Sequence, residues 1–214
     1  QPDGVQFAFS EHSAGVEEYQ RSGDALPESV FEACRSSDVV LLGAMGLPDI
    51  RYPNGKEIAP QLDIRERLEL YGGVRPIRLF HEQDTPLKGY APDNIDFVIV
   101  RESTEGLFYG RDAVVEPGAN EVFNTMRISR VAAERVCRLA FRIAQKRKKR
   151  VALVDKSNVL SSMVFFRSIF DGVAAEFSDC KAERLYIDAT ALFLVRDPDR
   201  FDVLVTENMF GDIL

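Results

Sequence analysis

The sequence lacks tryptophan and has only two histidines and three cysteines among its 214 residues. The cysteines (Cys34, Cys137 and Cys180) have unrelated spacings, so we expect free thiols in a reducing cytoplasm instead of a disulfide framework or a zinc site. No apolar run approaches the roughly 20 residues of a membrane-spanning helix, and there is no signal-peptide pattern. The shortage of histidine also argues against an imidazole-rich metal site.

Basic residues are fewer than acidic residues. Lysine and arginine number 27 against 34 acidic residues, which gives a net charge of −7. A nucleic-acid-binding protein needs a basic surface to neutralise phosphates, so we expect no nucleic-acid partner. The basic run at 146–150 (Lys-Arg-Lys-Lys-Arg) could indicate a phosphate-binding patch. We prefer to interpret it as the cationic end of a helix, where positive charge is stabilised.

No G-x-G-x-x-G motif occurs, so an ordinary Rossmann dinucleotide site has no support. Apolar runs instead alternate with helical patterns, which favours an α/β fold with a mostly parallel sheet. The predicted strands are 5–9, 39–43, 74–80, 95–100, 151–154, 184–187 and 203–205. The predicted helices are 27–35, 62–71, 129–146, 161–170 and 189–195, and Gly72-Gly73 is predicted to end the second of them. A change of composition places a domain boundary near residue 72, between 1–71 and 72–214.

One lysine follows the most apolar of these strands. Lys156 comes directly after Val151-Ala152-Leu153-Val154-Asp155, and open α/β sheets bind ligands just beyond the carboxyl ends of their strands. Burial of a lysine favours its neutral form, which can accept a proton. The alternative is a surface lysine in a strand-to-helix turn, with Ser157 or Asn158 as the helix N-cap.

Other strand and helix ends carry arginine and aspartate. Arg65, Arg75 and Arg101 have guanidinium groups that match carboxylates in a bidentate way, so together they suggest a substrate with more than one carboxylate. Asp188 and Asp212 supply hard oxygen ligands suited to Mg²⁺ or Mn²⁺. The alternative is that each aspartate is an N-cap, because each is predicted between a strand and a helix.

Several segments together resemble a known family, the metal-dependent β-decarboxylating dehydrogenases, which include isocitrate, 3-isopropylmalate, homoisocitrate and tartrate/D-malate dehydrogenases. The matching segments are 39–46, 62–76 (with Leu-Asp-Ile-Arg and Tyr-Gly-Gly-Val-Arg-Pro), 100–110 (with Val-Arg-Glu-Ser-Thr-Glu-Gly), 154–160, 186–189 and 201–214. The resemblance implies an isopropylmalate dehydrogenase-like two-domain fold, truncated at both ends. Residues 1–71 would belong to the first, cofactor-side domain, and 72–214 to the central substrate and dimerisation domain.

The resemblance also implies roles for the candidate residues. The arginines would clamp the carboxylates of a malate-type substrate, Lys156 would handle the proton of the C2 hydroxyl, and both aspartates would bind the metal. Asn158 would lie near the nicotinamide. In this family the lysine and the first aspartate, here Lys156 and Asp188, reach into the active site of the neighbouring subunit, so a homodimer with shared active sites is implied.

The implied activity is oxidative decarboxylation of a 2-hydroxy di- or tricarboxylic acid, with hydride transfer to NAD (NADP possible) and with Mg²⁺ or Mn²⁺. A 3-isopropylmalate-like substrate is the first candidate; tartrate, D-malate or isocitrate are alternatives, as is a non-catalytic regulatory relative on the same fold. Two positions depart from the family. Phe108 stands where the family has a tyrosine acid, so Tyr109 is the candidate replacement. Gln61 matches neither the isopropylmalate nor the isocitrate pattern and could hydrogen-bond a polar substituent, or could be a solvated helix-start residue.

Overall fold

The structure is a computed structural model that describes residues 4, 6–113 and 115–214. The chain forms two compact units, Gln1–Leu68 and Glu69–Leu214. No helix among these described residues is both long and apolar enough to cross a membrane. The assignment of 1–71 and 72–214 to a cofactor-side and a central domain stays a prediction.

In its described residues, the first unit contains three short helices joined by long irregular segments. It contains α1 (Val16–Ser22), α2 (Glu28–Ser36) and α3 (Pro60–Arg67), around a small core of Val16, Ala25 and Ile58. The helix predicted at 27–35 is confirmed, with Pro27 at its N-cap. The helix predicted at 62–71 is shorter than expected, since α3 ends at Arg67. Gly72 and Gly73 do not end it; they begin a strand of the second unit.

Two predicted strands of the first unit are wrong. Residues 6–9 and 39–43 form no strand, and Val5 lies outside the described residues. Val39 and Leu41 are 82% and 89% exposed, which excludes a buried central strand. A strand exists only where neighbours satisfy its backbone hydrogen bonds. The only β-structure in the described part of this unit is an isolated bridge between Arg51 and Glu57.

A five-stranded sheet organises the second unit. Its strands are β1 (Gly72–Arg78), β2 (Asp96–Glu102), β3 (Arg150–Asp155), β4 (Lys181–Tyr186) and β5 (Val203–Thr206), in the spatial order β1-β2-β5-β3-β4. β1 runs antiparallel to β2, and all other pairs are parallel. The predicted mostly parallel sheet is therefore confirmed. The helices are α4 (Arg130–Gln145), α5 (Ser161–Glu176), α6 (Ile187–Arg196) and α7 (Phe210–Ile213).

Alternating side chains of β3 bury both faces of this sheet. Val151 and Leu153 join the core formed with α4 and α5, whereas Ala152 and Val154 join a second core on the opposite face. Full burial of a side chain the size of valine or leucine contributes roughly 1.5–3 kcal/mol. Strands covered on both faces need continuous apolar sequence, which explains why the central strands could be predicted.

A buried ion pair fixes the turn between β3 and α5. The carboxylate of Asp155, fully buried, accepts hydrogen bonds from Arg167 Nε (2.7 Å) and Nη2 (2.8 Å) and from the backbone N–H of Ser157 (3.0 Å). This hydrogen bonding raises the pKa of Arg167. The N-cap of α5 is Leu160, so the alternative interpretation, in which Ser157 or Asn158 is the cap, is wrong on this point. The Asp155 contacts hold the turn that carries Lys156.

Glu207 is a second buried acid, at the end of β5. Its side chain is 1% exposed; Oε1 accepts a hydrogen bond from the backbone of Phe210 (2.6 Å), and Oε2 has no hydrogen-bond partner among the described residues. Burial raises the pKa of this carboxyl, and the neighbouring Glu102 charge acts in the same direction. Gly106, at φ +76°, packs against Oε2, where a Cβ atom would collide.

We predict that Asp155→Asn lowers the free energy of unfolding of the full-length protein by about 3 kcal/mol, because the Arg167 charge loses its buried partner. The matched control is Asp171→Asn, which removes a more exposed partner of Arg184 and should cost less than about 1 kcal/mol. Urea unfolding measures both. Equal losses in the two variants would show that the Asp155 pair does not hold the turn.

We predict that Glu207→Gln becomes more stable relative to wild type as the pH rises above 4.5, the ordinary pKa of this carboxyl. The folded state retains the Glu207 proton to higher pH than the unfolded state, so wild type loses stability as the pH rises towards the folded-state pKa, and glutamine does not titrate. Thermal unfolding between pH 4.5 and 8 tests this, with the exposed Glu121→Gln as control. Parallel pH curves for Glu207→Gln and wild type would contradict it.

Candidate active site

The predicted residues of the second unit form two groups at the carboxyl ends of its parallel strands. One group joins Arg75, Arg101 and Asp212, and the other joins Lys156 and Asp188. Both groups lie where an open α/β sheet binds ligands.

Arg101 is the buried centre of the first group. It belongs to β2 and is 2% exposed. Its Nε and Nη2 donate to Asn208 Oδ1 at 3.0 and 2.7 Å, and its Nη1 forms an ion pair with Asp212. Asn208 in turn donates from Nδ2 to the backbone carbonyl of Glu105 (2.9 Å). The guanidinium is therefore held in one orientation by the turn that follows β5.

Arg75 reaches the same carboxylate from β1. Its Nη2 lies 3.1 Å from Asp212 Oδ1, the atom that Arg101 contacts, and its Nη1 donates to the carbonyl of Gly211 (3.0 Å). The side chain of Asp212 is 47% exposed. Gly211 allows the close approach, since a Cβ there would lie 2.8 Å from Cβ and Cγ of Arg101. Two guanidinium groups thus converge on one carboxylate oxygen, that of Asp212, and this arrangement of Arg75 and Arg101 is called the carboxylate receptor.

Lys156 and Asp188 form the second group. Lys156 Nζ lies 2.7 Å from Asp188 Oδ1; the lysine side chain is 26% exposed and that of the aspartate 68%. The hydrogen bond from Lys156 is the main reason why the pKa of Asp188 is lowered. Asn158 lies exposed in the same turn as the lysine.

The N-cap alternatives for the two aspartates are wrong. Asp188 is inside α6, capped by Tyr186, and Asp212 is inside α7, capped by Met209; neither cap makes a side-chain hydrogen bond. The sequence placed both aspartates between a strand and a helix, whereas the helices begin before them. Carboxylates in a first helical turn are stabilised by the helix dipole.

The two aspartates suit a hard cation in chemistry but do not enclose one alone. Among the described residues no group of three or more histidine, cysteine or acidic side chains could hold a metal ion. Mg²⁺ commonly takes only one or two protein carboxylates and completes its shell with water and substrate oxygens. Asp188 and Asp212 therefore fit as a partial ligand set, provided that each leaves its present cationic partner.

Phe108 and Tyr109 point to different arginines. Both belong to a short 3₁₀ segment, Leu107–Gly110. The ring of Phe108 lies 5.3 Å from Cζ of Arg101, whereas the ring of Tyr109 lies 4.8 Å from Cζ of Arg127 and is half exposed. Phe108 is thus the aromatic residue beside the carboxylate receptor. The role of Tyr109 as an acid stays a prediction.

Gln61 and Arg65 belong to the first unit. Both lie on α3, four residues apart, and so share one helix face. The Oε1 atom of Gln61 is buried and has no hydrogen-bond partner among the described residues. Gln61 is therefore not the fully solvated helix-start residue of the alternative interpretation, and it retains an unused acceptor.

Three glutamates that hold the loops of this site were assigned no role from the sequence. Glu105 ties the loop after β2 to α4, because its Oε2 accepts from the backbone N–H of Ser129 (2.7 Å) and its carbonyl accepts from Asn208. Glu102 accepts from the backbone of Thr104 and Glu105 (2.7–3.0 Å), and Glu207 fills the space behind Gly106. Closely spaced glutamates after a buried strand were the only available signal, and such residues are more often solvated.

Solved structures share this architecture. An isocitrate dehydrogenase from Methylococcus capsulatus superposes with a TM-score of 0.79 at 30% identity, over 98% of this chain and 60% of that one. A protein from Thermus thermophilus gives a TM-score of 0.83 at 32% identity, over 96% of this chain and 40% of the other.

Curated sequences named 3-isopropylmalate dehydrogenase are also similar. That of Geobacillus kaustophilus is 41% identical over 99% of this chain, and that of Aquifex aeolicus is 39% identical over 99%. The chain spans 58% and 60% of their lengths, respectively. The family model described as isocitrate/isopropylmalate dehydrogenase matches residues 1–214. This chain, with its carboxylate receptor and its lysine–aspartate pair, therefore belongs to the isocitrate/isopropylmalate dehydrogenase family.

Proposed function

We propose that the full-length protein catalyses the oxidative decarboxylation of a malate-type 2-hydroxy acid with NAD⁺ as the first candidate oxidant, NADP⁺ as the alternative, and Mg²⁺ or Mn²⁺. The observation that carries this proposal is the convergence of Arg75 and Arg101 on one carboxylate oxygen of Asp212. Paired guanidinium groups are suited to bind a substrate carboxylate. A bound substrate would replace Asp212 there and release it for the cation.

We take 3-isopropylmalate as the first substrate candidate, because curated relatives of that name are up to 41% identical to this chain. Gln61 is the observation that favours a different substituent. Its buried, unpartnered Oε1 is an acceptor that an isopropyl group cannot use and that a hydroxyl group could. Tartrate and D-malate are therefore the second candidates, with isocitrate as a further tricarboxylic alternative.

The proposed reaction is a hydride transfer followed by loss of CO₂. The hydride leaves C2 for the nicotinamide, the C2 hydroxyl proton passes to Lys156 directly or through water, and the β-keto acid formed loses CO₂. The resulting enol takes up a proton at carbon to give the 2-oxo acid. Asp188 would release Lys156 on binding the cation, Arg75 and Arg101 would orient a carboxylate, and Asn158 would lie near the nicotinamide. A divalent cation, when bound by Asp188 and Asp212, supplies Lewis-acid polarisation.

A homodimer with shared active sites is part of this proposal. Exposed apolar side chains occur near Lys156 and Asp188 in the sequence: Val159 is 69% exposed, Leu192 58% and Val195 64%. Val164, on α5, is 52% exposed. Covering such side chains with a second copy of the chain would stabilise the protein. In such a dimer, Lys156 would serve the active site of the partner.

A cytoplasmic location completes the proposal. All three cysteines of the chain are free thiols, and burial raises the pKa of Cys137 and Cys180. Thiols of this kind persist in a reducing compartment.

A non-catalytic relative on the same fold is the second candidate function. Phe108, whose ring lies 5.3 Å from Cζ of Arg101, has no proton to donate beside the carboxylate receptor. A binding or regulatory subunit would keep the arginines and still recognise a carboxylate. The two candidates differ in whether NAD⁺ is reduced.

We predict that full-length protein with Mn²⁺ and NAD⁺ reduces the cofactor on at least one of 3-isopropylmalate, D-malate, tartrate and isocitrate. Absorbance of the reduced nicotinamide measures turnover, and each acid is also tested with NADP⁺. Binding of an acid without turnover, by a dimer shown to be folded, would support the non-catalytic candidate instead.

We predict that homodimers of Lys156→Met and homodimers of Arg101→Met are both inactive. Co-expression of the two variants should restore part of the activity, because mixed dimers then form. If sites are shared, a mixed dimer contains one site with both native residues, so about a quarter of the wild-type specific activity returns at random pairing. Co-expression of two differently tagged copies of Lys156→Met is the matched control. Absence of restored activity in purified mixed dimers would contradict shared sites.

A further inference from the structure

A shallow cleft lies at the amino ends of β3, β4 and β5, at the opposite end of these strands from the carboxylate receptor. It is open to solvent and its enclosed part is only ≈10 Å³, about the volume needed for one water molecule, so a larger group would lie at its mouth. Arg150 and Lys181, the first residues of β3 and β4, line it, and Phe201 and Val203 contribute buried apolar walls. The cleft and Lys156 lie at opposite ends of β3, and a strand extends about 3.3 Å per residue.

The acidic residues of this cleft already have cationic partners. Glu183 forms an ion pair with Arg200 (3.0 Å). Asp202, whose side chain is fully buried, accepts from Arg147 Nε (2.9 Å), and its other oxygen accepts from the backbone N–H of Arg150 (3.0 Å). Neither carboxylate is therefore left to neutralise a further cation.

Arg150 and Lys181 remain as neighbouring cations. They are directly paired in the parallel register of β3 and β4, and both are exposed. Neither side chain forms an ion pair within the described part of the chain. Like charges at paired sheet positions destabilise the fold. The cleft is thus a positively charged spot on a protein whose net charge is −7.

The interpretation of the basic run at 146–150 as the cationic end of a helix holds for only part of that run. Lys146 caps α4, as expected for the cationic end of a helix. Arg147 pairs with Asp96 and Asp202, and Lys149 pairs with Asp179. Arg150 belongs to β3 and shares none of these roles, so the helix end does not explain it.

We propose that this cleft binds the phosphate group of a small anion, either inorganic phosphate or a phosphate monoester. The Arg150 guanidinium would engage two phosphate oxygens and Lys181 would act as a point charge beside it. A dianion between them converts a repulsive pair into an attractive cluster. The site is remote from the proposed reaction and does not rest on the proposed function.

The test measures binding by isothermal titration calorimetry on the full-length protein, with inorganic phosphate and with glycerol 3-phosphate, at constant ionic strength. Wild type should bind at least one of them, and Arg150→Gln/Lys181→Gln should bind it at least about tenfold more weakly, because two charge-assisted contacts are lost. The control is Arg142→Gln/Lys88→Gln, which removes the same charges from exposed positions elsewhere. Tighter binding of glycerol 3-phosphate than of phosphate would identify a monoester, and the reverse order the free ion.

Thermal unfolding without phosphate provides a second measurement. Loss of the like-charge pair should raise the melting temperature of Arg150→Gln/Lys181→Gln above that of the control. No binding by wild type, equal binding by the cleft variant and the control, or a lower melting temperature of the cleft variant without phosphate would each overturn the proposal.

Discussion

The second unit depends on the pairing of one buried charge. Arg101 is 2% exposed, and a buried guanidinium is stable only if neighbouring groups satisfy its charge and its donors. Asn208 and Asp212 do so from the turn that follows β5. This requirement forces the end of β2 and the start of α7 into contact, and it fixes the atoms that Arg75 then reaches.

The packing around this charge leaves little freedom. A Cβ atom at Gly211 would lie 2.8 Å from two side-chain carbons of Arg101, and Gly106 occupies a left-handed conformation against Glu207. Glu207 packs against Gly106, has one oxygen without a hydrogen-bond partner among the described residues, and burial raises the pKa of its carboxyl. The two glycines therefore let the turn after β5 pack against β2 and the loop that follows it.

The sequence predicted the parts of this structure that depend on burial alone. The strands predicted at 95–100, 151–154 and 203–205 consist almost entirely of apolar residues, and each lies in the observed sheet. The runs at 6–9 and 39–43 are also mostly apolar but have no strand beside them in the described part of the chain, because composition does not encode a hydrogen-bonding neighbour. For the same reason the antiparallel pairing of β1 was not predicted. The strand ends correctly drew attention to Arg101 and Lys156, but the choice of partner depends on distances between turns that are remote in sequence.

Those partners give the candidate site its physical character. Each predicted metal ligand is held by a predicted cation, Asp212 by Arg75 and Arg101 and Asp188 by Lys156. Such pairs neutralise exposed carboxylates in the absence of other charges. A dicarboxylate and a divalent cation that bind together would pair both the arginines and the aspartates. The acid supplies oxygens for the arginines, and the metal replaces the cationic side chains on the aspartates. Neither ligand alone could do so without leaving charges unpaired, so we expect their binding to be mutually favourable.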